Sequence, residues 1–266
     1  MRESERKVAE HILAHTREAI SLPITELAAQ AGVSEATIVR MCKKLGFRGF
    51  QELKILLAME SVPPLQTVHE EIREGDNLED ILRKVFYCNV RAIESTLNIL
   101  SLQELARAVE ALLAAEQIQI YGVGGSGPIA MDAAHKLMKT GKAVIAYSDT
   151  HMQAMAASLL GPQDAVIGIS HSGSSRDIIE ALQLARGRGA TIIGITRYAR
   201  SPLDKVLDIK LATSSNETFS RIESTSSRIA QLSIIDVLFI GMSLRQVDRA
   251  IENIRLTREA IVPKRY

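Results

Sequence analysis

The stretch Gln117-Ile118-Gln119-Ile120-Tyr121-Gly122-Val123-Gly124-Gly125-Ser126-Gly127 decides the fold. An apolar, β-rich run ends in a cluster of glycines with one serine, and a helix-like segment follows. Backbone N–H groups at a strand-to-helix turn form an anion site, because the first helical turn carries unsatisfied donors and positive partial charge. The same pattern returns where Ala165 to Ile169 leads into Ser170-His171-Ser172-Gly173-Ser174-Ser175. Two such loops at the ends of two strands of one sheet can grip one phosphate from both sides. Ser126, Ser170, Ser172 and Ser175 are the candidate hydroxyl donors, and Gly125 and Gly173 let the backbone approach closely. Ser174 is expected to point outward. The ligand class implied is a phosphorylated small molecule.

On either side of this stretch, apolar runs alternate with helical periodicity. Strands are predicted near 117–122, 143–147, 164–169, 190–195 and 206–211, with helices near 127–140, 151–160 and 175–187 and a short helical connection before the last strand. Such alternation means an α/β domain whose parallel sheet carries helices on both faces. Leu78, Ile81, Leu82, Val85, Phe86, Ile93 and Leu97 mark a long amphipathic helix ahead of it, and Leu102 to Ala115 a second. A long helix from about 221 to 242 and a charged one over about 244–260 close the unit.

At 266 residues the chain suits two domains, and 46% hydrophobic residues suit a soluble protein with a sizeable core. Residues 1–60 read as consecutive short helices, 61–77 as a linker broken by Pro63 and Pro64, and 78–266 as the α/β domain. A net charge of +1 gives no global pull toward nucleic acid or membrane, so any basic patch is local. The two cysteines, Cys42 and Cys88, fit neither a disulfide framework nor a metal motif and are expected as small apolar fillers in a reducing cytoplasm. No secretory signal opens the chain, and no apolar run approaches a membrane span. No cofactor and no metal is expected. His135, His151 and His171 have no zinc-like spacing and are read as surface or hydrogen-bonded groups.

The segment Ile24 to Leu45 fits a helix-turn-helix position by position. Leu27 and Ala28 face inward on the first helix, and Gly32 takes a turn with positive φ, with Val33 beneath it. Ser34 is placed to cap the second helix, whose Ile38 and Met41 face the core. That leaves Glu35, Ala36, Thr37, Arg40, Lys43 and Lys44 outward, with Ser34 at the helix start, as a DNA-reading helix requires. Between Ala36 and Lys54 the cations Arg40, Lys43, Lys44, Arg48 and Lys54 face one anion, Glu52. Arg40 is the expected base reader and Lys43 and Lys44 the expected phosphate contacts, with Thr37 either touching a base or supporting the helix. One head this small binds weakly, which predicts a dimer on a palindromic double-stranded operator.

Two other chemistries fit parts of the pattern. Gly122, Gly124 and Gly127 match G-x-G-x-x-G, and Asp149 sits just past the second strand where a ribose-binding acid belongs, the arrangement of a dinucleotide site. That leaves the hydroxyls after the third strand unexplained. An aldose–ketose phosphate isomerase needs a base within hydrogen-bond reach of the proton it moves. Glu223, in the hydroxyl-rich 217–227 segment, is the one carboxylate the sequence places near the crevice, and it is read first as a binder of sugar hydroxyls. A fused DNA-reading head has no use in an isomerase.

Both motif sets together resemble the RpiR-type transcriptional regulators, which join an N-terminal helix-turn-helix to a sugar isomerase (SIS) domain. Ala31 to Arg40, continuing through Lys43-Lys44-Leu45-Gly46-Phe47, is similar to the head signature of that family. Gly124-Gly125-Ser126 and Ser170-x-Ser172-Gly173-x-Ser175 resemble its phosphate motif, with Ser175 where a threonine is usual. The resemblance implies a flavodoxin-like five-stranded SIS core, a homodimer or homotetramer, and control of sugar catabolism genes by a sugar-phosphate effector. Within the family, Ser148-Asp149-Thr150-His151 and Ser224 to Leu232 look most like regulators responding to N-acetylmuramic acid 6-phosphate.

Overall fold

A computed structural model describes residues 1–61, 72–73, 75–214 and 226–264. The chain divides into two units, one built on Met1–Val90 and one on Arg91–Tyr198, Pro202–Ser215 and Ser226–Tyr266. Of the expected 61–77 linker, residues 62–71 and 74 lie outside the described residues, as does Glu223.

The first unit opens with five helices: α1 (Glu3–Ala14), α2 (Thr16–Ser21), α3 (Ile24–Ala31), α4 (Glu35–Lys44) and α5 (Phe50–Ser61). One apolar cluster holds them, with Val8, Ile12, Leu27, Ile38, Met41, Cys42 and Leu53 at its centre. The chain leaves α3 through Gly32 at φ 64°, and Val33 N–H donates back to Ala28 O at 2.9 Å, which closes the tight turn. Burial pushes the Cys42 thiol up to about 11, so it fills space as the inert apolar residue the sequence implied.

Helix α6 (Leu78–Ile99) and α7 (Leu102–Ala114) precede the sheet. The sheet consists of β1 (Gln117–Gly122), β2 (Ala143–Tyr147), β3 (Ala165–Ile169), β4 (Thr191–Arg197) and β5 (Ile209–Thr213), all parallel, in the order β2-β1-β3-β4-β5. Between and after them run α8 (Ser126–Leu137), α9 (Thr150–Ser158), α10 (Arg176–Gly187), α11 (Ser226–Arg245) and α12 (Val247–Ile261). Successive strand side chains point to opposite faces. Ile118, Ile120, Ile167, Ile169, Ile193 and Ile195 therefore pack with α7, α8 and α11. Tyr121, Val166 and Ile192 pack on the other face with α9 and α10. This is the parallel sheet with helices on both faces that the alternation predicted, in the flavodoxin-like form that the family resemblance implied.

One boundary and one composition reading differ notably from expectation. The last strand starts at Ile209 and not near 206, because Val206 turns into the second core cluster and Asp208 accepts from Ile192 N–H at 2.8 Å before pairing begins. Helix α11, contrary to the absence of a span-length apolar run, is long and apolar enough to cross a membrane by composition. In this fold it covers one sheet face, with Ile234, Ile235, Leu238 and Met242 buried.

The turn after β1 depends on Gly122. A Cβ there would fall 2.5 Å from the Ser126 carbonyl oxygen and 3.3 Å from the Ala130 methyl, and backbone cannot give way as a side chain does. Gly122→Ala is expected to destabilise the chain by about 1–3 kcal/mol, the usual cost of overpacking. Thermal melts against the parent measure it, and an unchanged midpoint contradicts the close packing of α8 on β1.

Candidate functional site

In open parallel sheets, ligands bind beyond the carboxyl ends of the strands where the strand order reverses. Here that point lies between β1 and β3, since the chain leaves β1 for β2 on one side and returns to β3 on the other. Gly122 and Ile169 are register partners, so the loops carrying Ser126 and Ser170 to Ser175 leave neighbouring strands at the same level. In the first loop Ser126 N–H donates to Val123 O at 3.0 Å and Gly127 N–H to Gly124 O at 3.1 Å, with Gly124 at φ 53°. Gly125 and Ser126 stand at the start of α8. In the second, Gly173 at φ 62° donates to Ser170 O at 3.2 Å, and its own carbonyl accepts from Leu203 N–H at 3.0 Å. Ser170 is buried, and Ser172 and Ser175 are half-buried. Ser175 is the N-cap of α10, yet its side chain makes no capping hydrogen bond. Ser174 Oγ donates to Ser172 O at 3.2 Å, and Ser174 N–H donates to Ser172 Oγ at 3.2 Å, so this pair shapes the turn itself.

The crevice also contains a cation that the serine pattern did not announce. A Cβ built on Gly125 lies 3.0 Å from Nη2 of Arg228, so the guanidinium from the first turn of α11 rests against the first loop. Two helix starts, two hydroxyl-bearing turns and one guanidinium suit an anion. Gln153, fully buried on α9, donates Nε2–H to Tyr147 O at 2.8 Å and to Gly122 O at 3.5 Å, which ties the ends of β2 and β1 together under the first loop. Asp149 is the N-cap of α9 and accepts from Met152 N–H at 2.8 Å. Its carboxylate is thus committed to the helix start, against the ribose role that the dinucleotide alternative needed. His135 and His151 are exposed, while the His171 carbonyl accepts from Arg197 N–H at 3.3 Å. Among the described residues no group of His, Cys, Asp or Glu is arranged to hold a metal.

On the head, α4 exposes Ala36, Arg40, Lys43 and Lys44, with Ser34 before it and Glu35 half-buried. Three expectations change. Ser34 makes no side-chain cap; its hydroxyl lies 3.0 Å from the Thr37 hydroxyl instead. Thr37 is not outward but buried, and its Oγ1 accepts from Arg40 Nη2 at 3.0 Å, so it supports the arginine and does not itself face solvent. Lys54 is buried with its ammonium donating to Leu22 O at 2.6 Å and lying 5.2 Å from the Phe50 ring centre, which removes it from the exposed basic set.

Comparison with known proteins bears on both sites. Residues 1–63 match the helix-turn-helix domain of the rpiR family, and residues 111–241 match the SIS domain. The chain is 39% identical over 258 residues to an uncharacterised HTH-type transcriptional regulator of Caldanaerobacter subterraneus, covering 97% of this chain and 92% of the relative. This chain belongs to the RpiR-type transcriptional regulators. It is 36% identical to the HTH-type transcriptional regulator HexR of Pseudomonas aeruginosa over 266 residues, all of this chain and 93% of that one. Among solved structures, the Vibrio vulnificus NanR protein complexed with ManNAc-6P is 28% identical, with a TM-score of 0.84 over 100% of this chain and 95% of NanR.

In this RpiR-type regulator, Lys44 has a partner inside the head. Its Nζ lies 2.7 Å from Oε2 of Glu5, whose side chain is 1% exposed against 49% for the lysine. The same carboxylate accepts from Arg2 N–H at 2.7 Å. Lys44 is the main cause, and Arg2 the second, of a Glu5 carboxyl held below the ordinary glutamate range. A depressed folded-state value means that this stabilisation is complete above the ordinary glutamate value near 4.5 and is lost as pH falls through the lower folded value. Lys44→Met is therefore expected to lower the head's melting temperature near neutrality and to flatten its decline below about pH 4.5. Circular-dichroism melts from pH 3 to 6 measure both, and parallel curves for parent and variant rule the tether out.

Proposed function

We propose that this regulator senses a sugar phosphate in the crevice between β1 and β3 and converts its presence into altered operator binding by α4. The observation that carries the reading is the convergence on one switch point of two serine-bearing helix starts and the Arg228 guanidinium at Gly125. Gly125, Ser126, Ser170, Ser172, Gly173 and Ser175 clasp the phosphate, with Arg228 neutralising its charge. Glu223, outside the described residues, binds sugar hydroxyls. The likeness to NanR with ManNAc-6P and the sequence likeness to N-acetylmuramic acid 6-phosphate responders both favour an amino-sugar 6-phosphate. We read 1–60 as the DNA head, 61–77 as the linker and 78–266 as the sensing domain, acting in the cytoplasm as a homodimer or homotetramer on a double-stranded operator. The crevice binds without turnover, since the phosphate cradle serves recognition and the fused head supplies the output.

A ligand shifts head placement only by its differential affinity for two arrangements. Moving a population from 1:99 to 99:1 takes roughly 5.5 kcal/mol. Several charge-assisted hydrogen bonds to phosphate, at ~1.5–3 kcal/mol each, reach that scale.

Ser126→Ala combined with Ser172→Ala is expected to weaken the effector on the order of a hundredfold, two such hydrogen bonds' worth, with operator affinity unchanged. Thermal-shift titration against a panel of hexose and amino-sugar phosphates reads this, because a ligand of the folded state raises its melting temperature. A stabilisation that survives the double substitution places the phosphate elsewhere.

On DNA, Arg40→Ala is expected to relax base preference, and Thr37→Val to do so more weakly by releasing the same guanidinium. Lys43→Ala is expected to weaken every sequence alike and to reduce the slope of log affinity against log salt by about one. Mobility-shift titrations at several salt concentrations separate the two patterns, and equal loss of specificity in all three variants refutes the division of roles.

A further inference from the structure

The cations of the head fall into two sets once their partners are traced. Arg6 pairs with Glu10 at 3.4 Å, Lys44 pairs with Glu5, and Lys54 turns inward to Leu22 O. Lys7 belongs to the other set. It is exposed, and among the described residues it makes no hydrogen bond or ion pair. Its ammonium is nevertheless placed: a Cβ built on Gly32 falls 3.3 Å from Lys7 Nζ, so the charge rests on the tight turn between α3 and α4. The packing of α1 explains this. Val8 and Ile12 are buried in the shared cluster and fix the roll of the helix. Glu5 and Lys7 stand two positions apart, about 200° around the axis, and reach in opposite directions. Glu5 engages Lys44 in the last turn of α4, and Lys7 meets the turn that precedes its first. Glu10, one helical turn ahead of Lys7, is held by Arg6 and leaves the ammonium unneutralised.

We propose that Lys7 contacts a DNA phosphate in the operator complex, so that α1, which lies outside the helix-turn-helix, is part of the DNA interface. The inference rests on the operator reading above and extends it to a residue upstream of the motif. An unpaired surface lysine is ordinary. One held against this particular turn is not, because the second helix of such a motif enters the major groove with its N-terminal residues at the base edges. The turn that leads into it therefore passes beside the phosphates that border the groove. Cations without an acidic partner then stand at three levels along α4: Lys7 at the turn before it, Arg40 in its middle and Lys43 in its last turn. A lysine is a point charge on a flexible stem, which suits a phosphate and carries no base preference. Its contribution is to seat the reading helix.

The test is binding of the full-length protein, by fluorescence anisotropy at several salt concentrations, to two duplexes: one that the parent selects from a random pool, and one of scrambled sequence. For each head on the duplex, Lys7→Gln is expected to weaken binding to both by about fivefold at about 0.15 M salt and to reduce the slope of log affinity against log salt by about 0.9, the share of one phosphate. Lys7→Arg keeps the charge and is expected to keep both values. Arg6→Gln removes the same charge from the neighbouring position, where it is committed to Glu10, and is expected to leave the slope at its parental value. Circular-dichroism melts separate contact from fold. The ammonium also lies at the negative end of α3, so a lysine that served structure alone would lower the melting temperature of Lys7→Gln and leave the slope untouched. A parental slope in Lys7→Gln, an equal fall in Arg6→Gln, or a fall in Lys7→Arg overturns the contact, while Arg40→Ala and Lys43→Ala still decide the operator reading. A parent that selects no duplex overturns both.

Discussion

The parallel pairing of β1 with β3 is the constraint from which the sensing unit follows. The chain leaves β1, builds β2 on the outer side, and returns across β1 to reach β3. The loops that follow β1 and β3, each leading into a helix start, lie beyond the same edge of the sheet, with Gly122 and Ile169 level. An anion placed between the two loops would meet two partial positive helix ends at once. Gly122 permits α8 to begin so close to its strand, and Gln153 fastens the two strand ends beneath the loop. The core on either face holds this geometry, since alternate residues of β1, β3 and β4 are locked into separate apolar layers.

The head depends on a different principle. Its five short helices have little surface to bury individually, and they share one cluster around Leu27, Ile38 and Met41. Polar contacts then orient α4 within that frame. Glu5 grips Lys44 at the end of the helix, and Ser34, Thr37 and Arg40 form a short chain along its side. Of the cations on α4, Lys43 is the one that neither arrangement engages, Lys44 steadies the helix, and Arg40 is held at an angle by a buried hydroxyl. The reading surface is therefore more ordered than a row of basic residues suggests.

Placing a phosphate sensor beside a DNA reader in one chain requires that the two exchange free energy through the chain that joins them. Charge-assisted hydrogen bonds to a phosphate would supply enough to shift a two-state equilibrium, and a symmetric oligomer would let one ligand state be read by two heads together.

Periodicity, glycine turns and hydroxyl loops were legible from the residues alone, because strand alternation, helix amphipathicity and αL turns are local consequences of side-chain chemistry. The sequence by itself therefore determined the helix-turn-helix, the doubly wound order of elements and the two loops that bear Ser126 and Ser172. What only the tertiary structure decided were partnerships between distant residues. Arg228 reaches Gly125 from a hundred positions away, Glu5 engages Lys44, Lys54 turns inward to Leu22, and Asp149 is committed to its own helix start. A side chain's neighbours across the fold depend on how elements pack, and no pattern along the chain encodes which of several exposed-looking cations finds a carboxylate, a carbonyl or a loop.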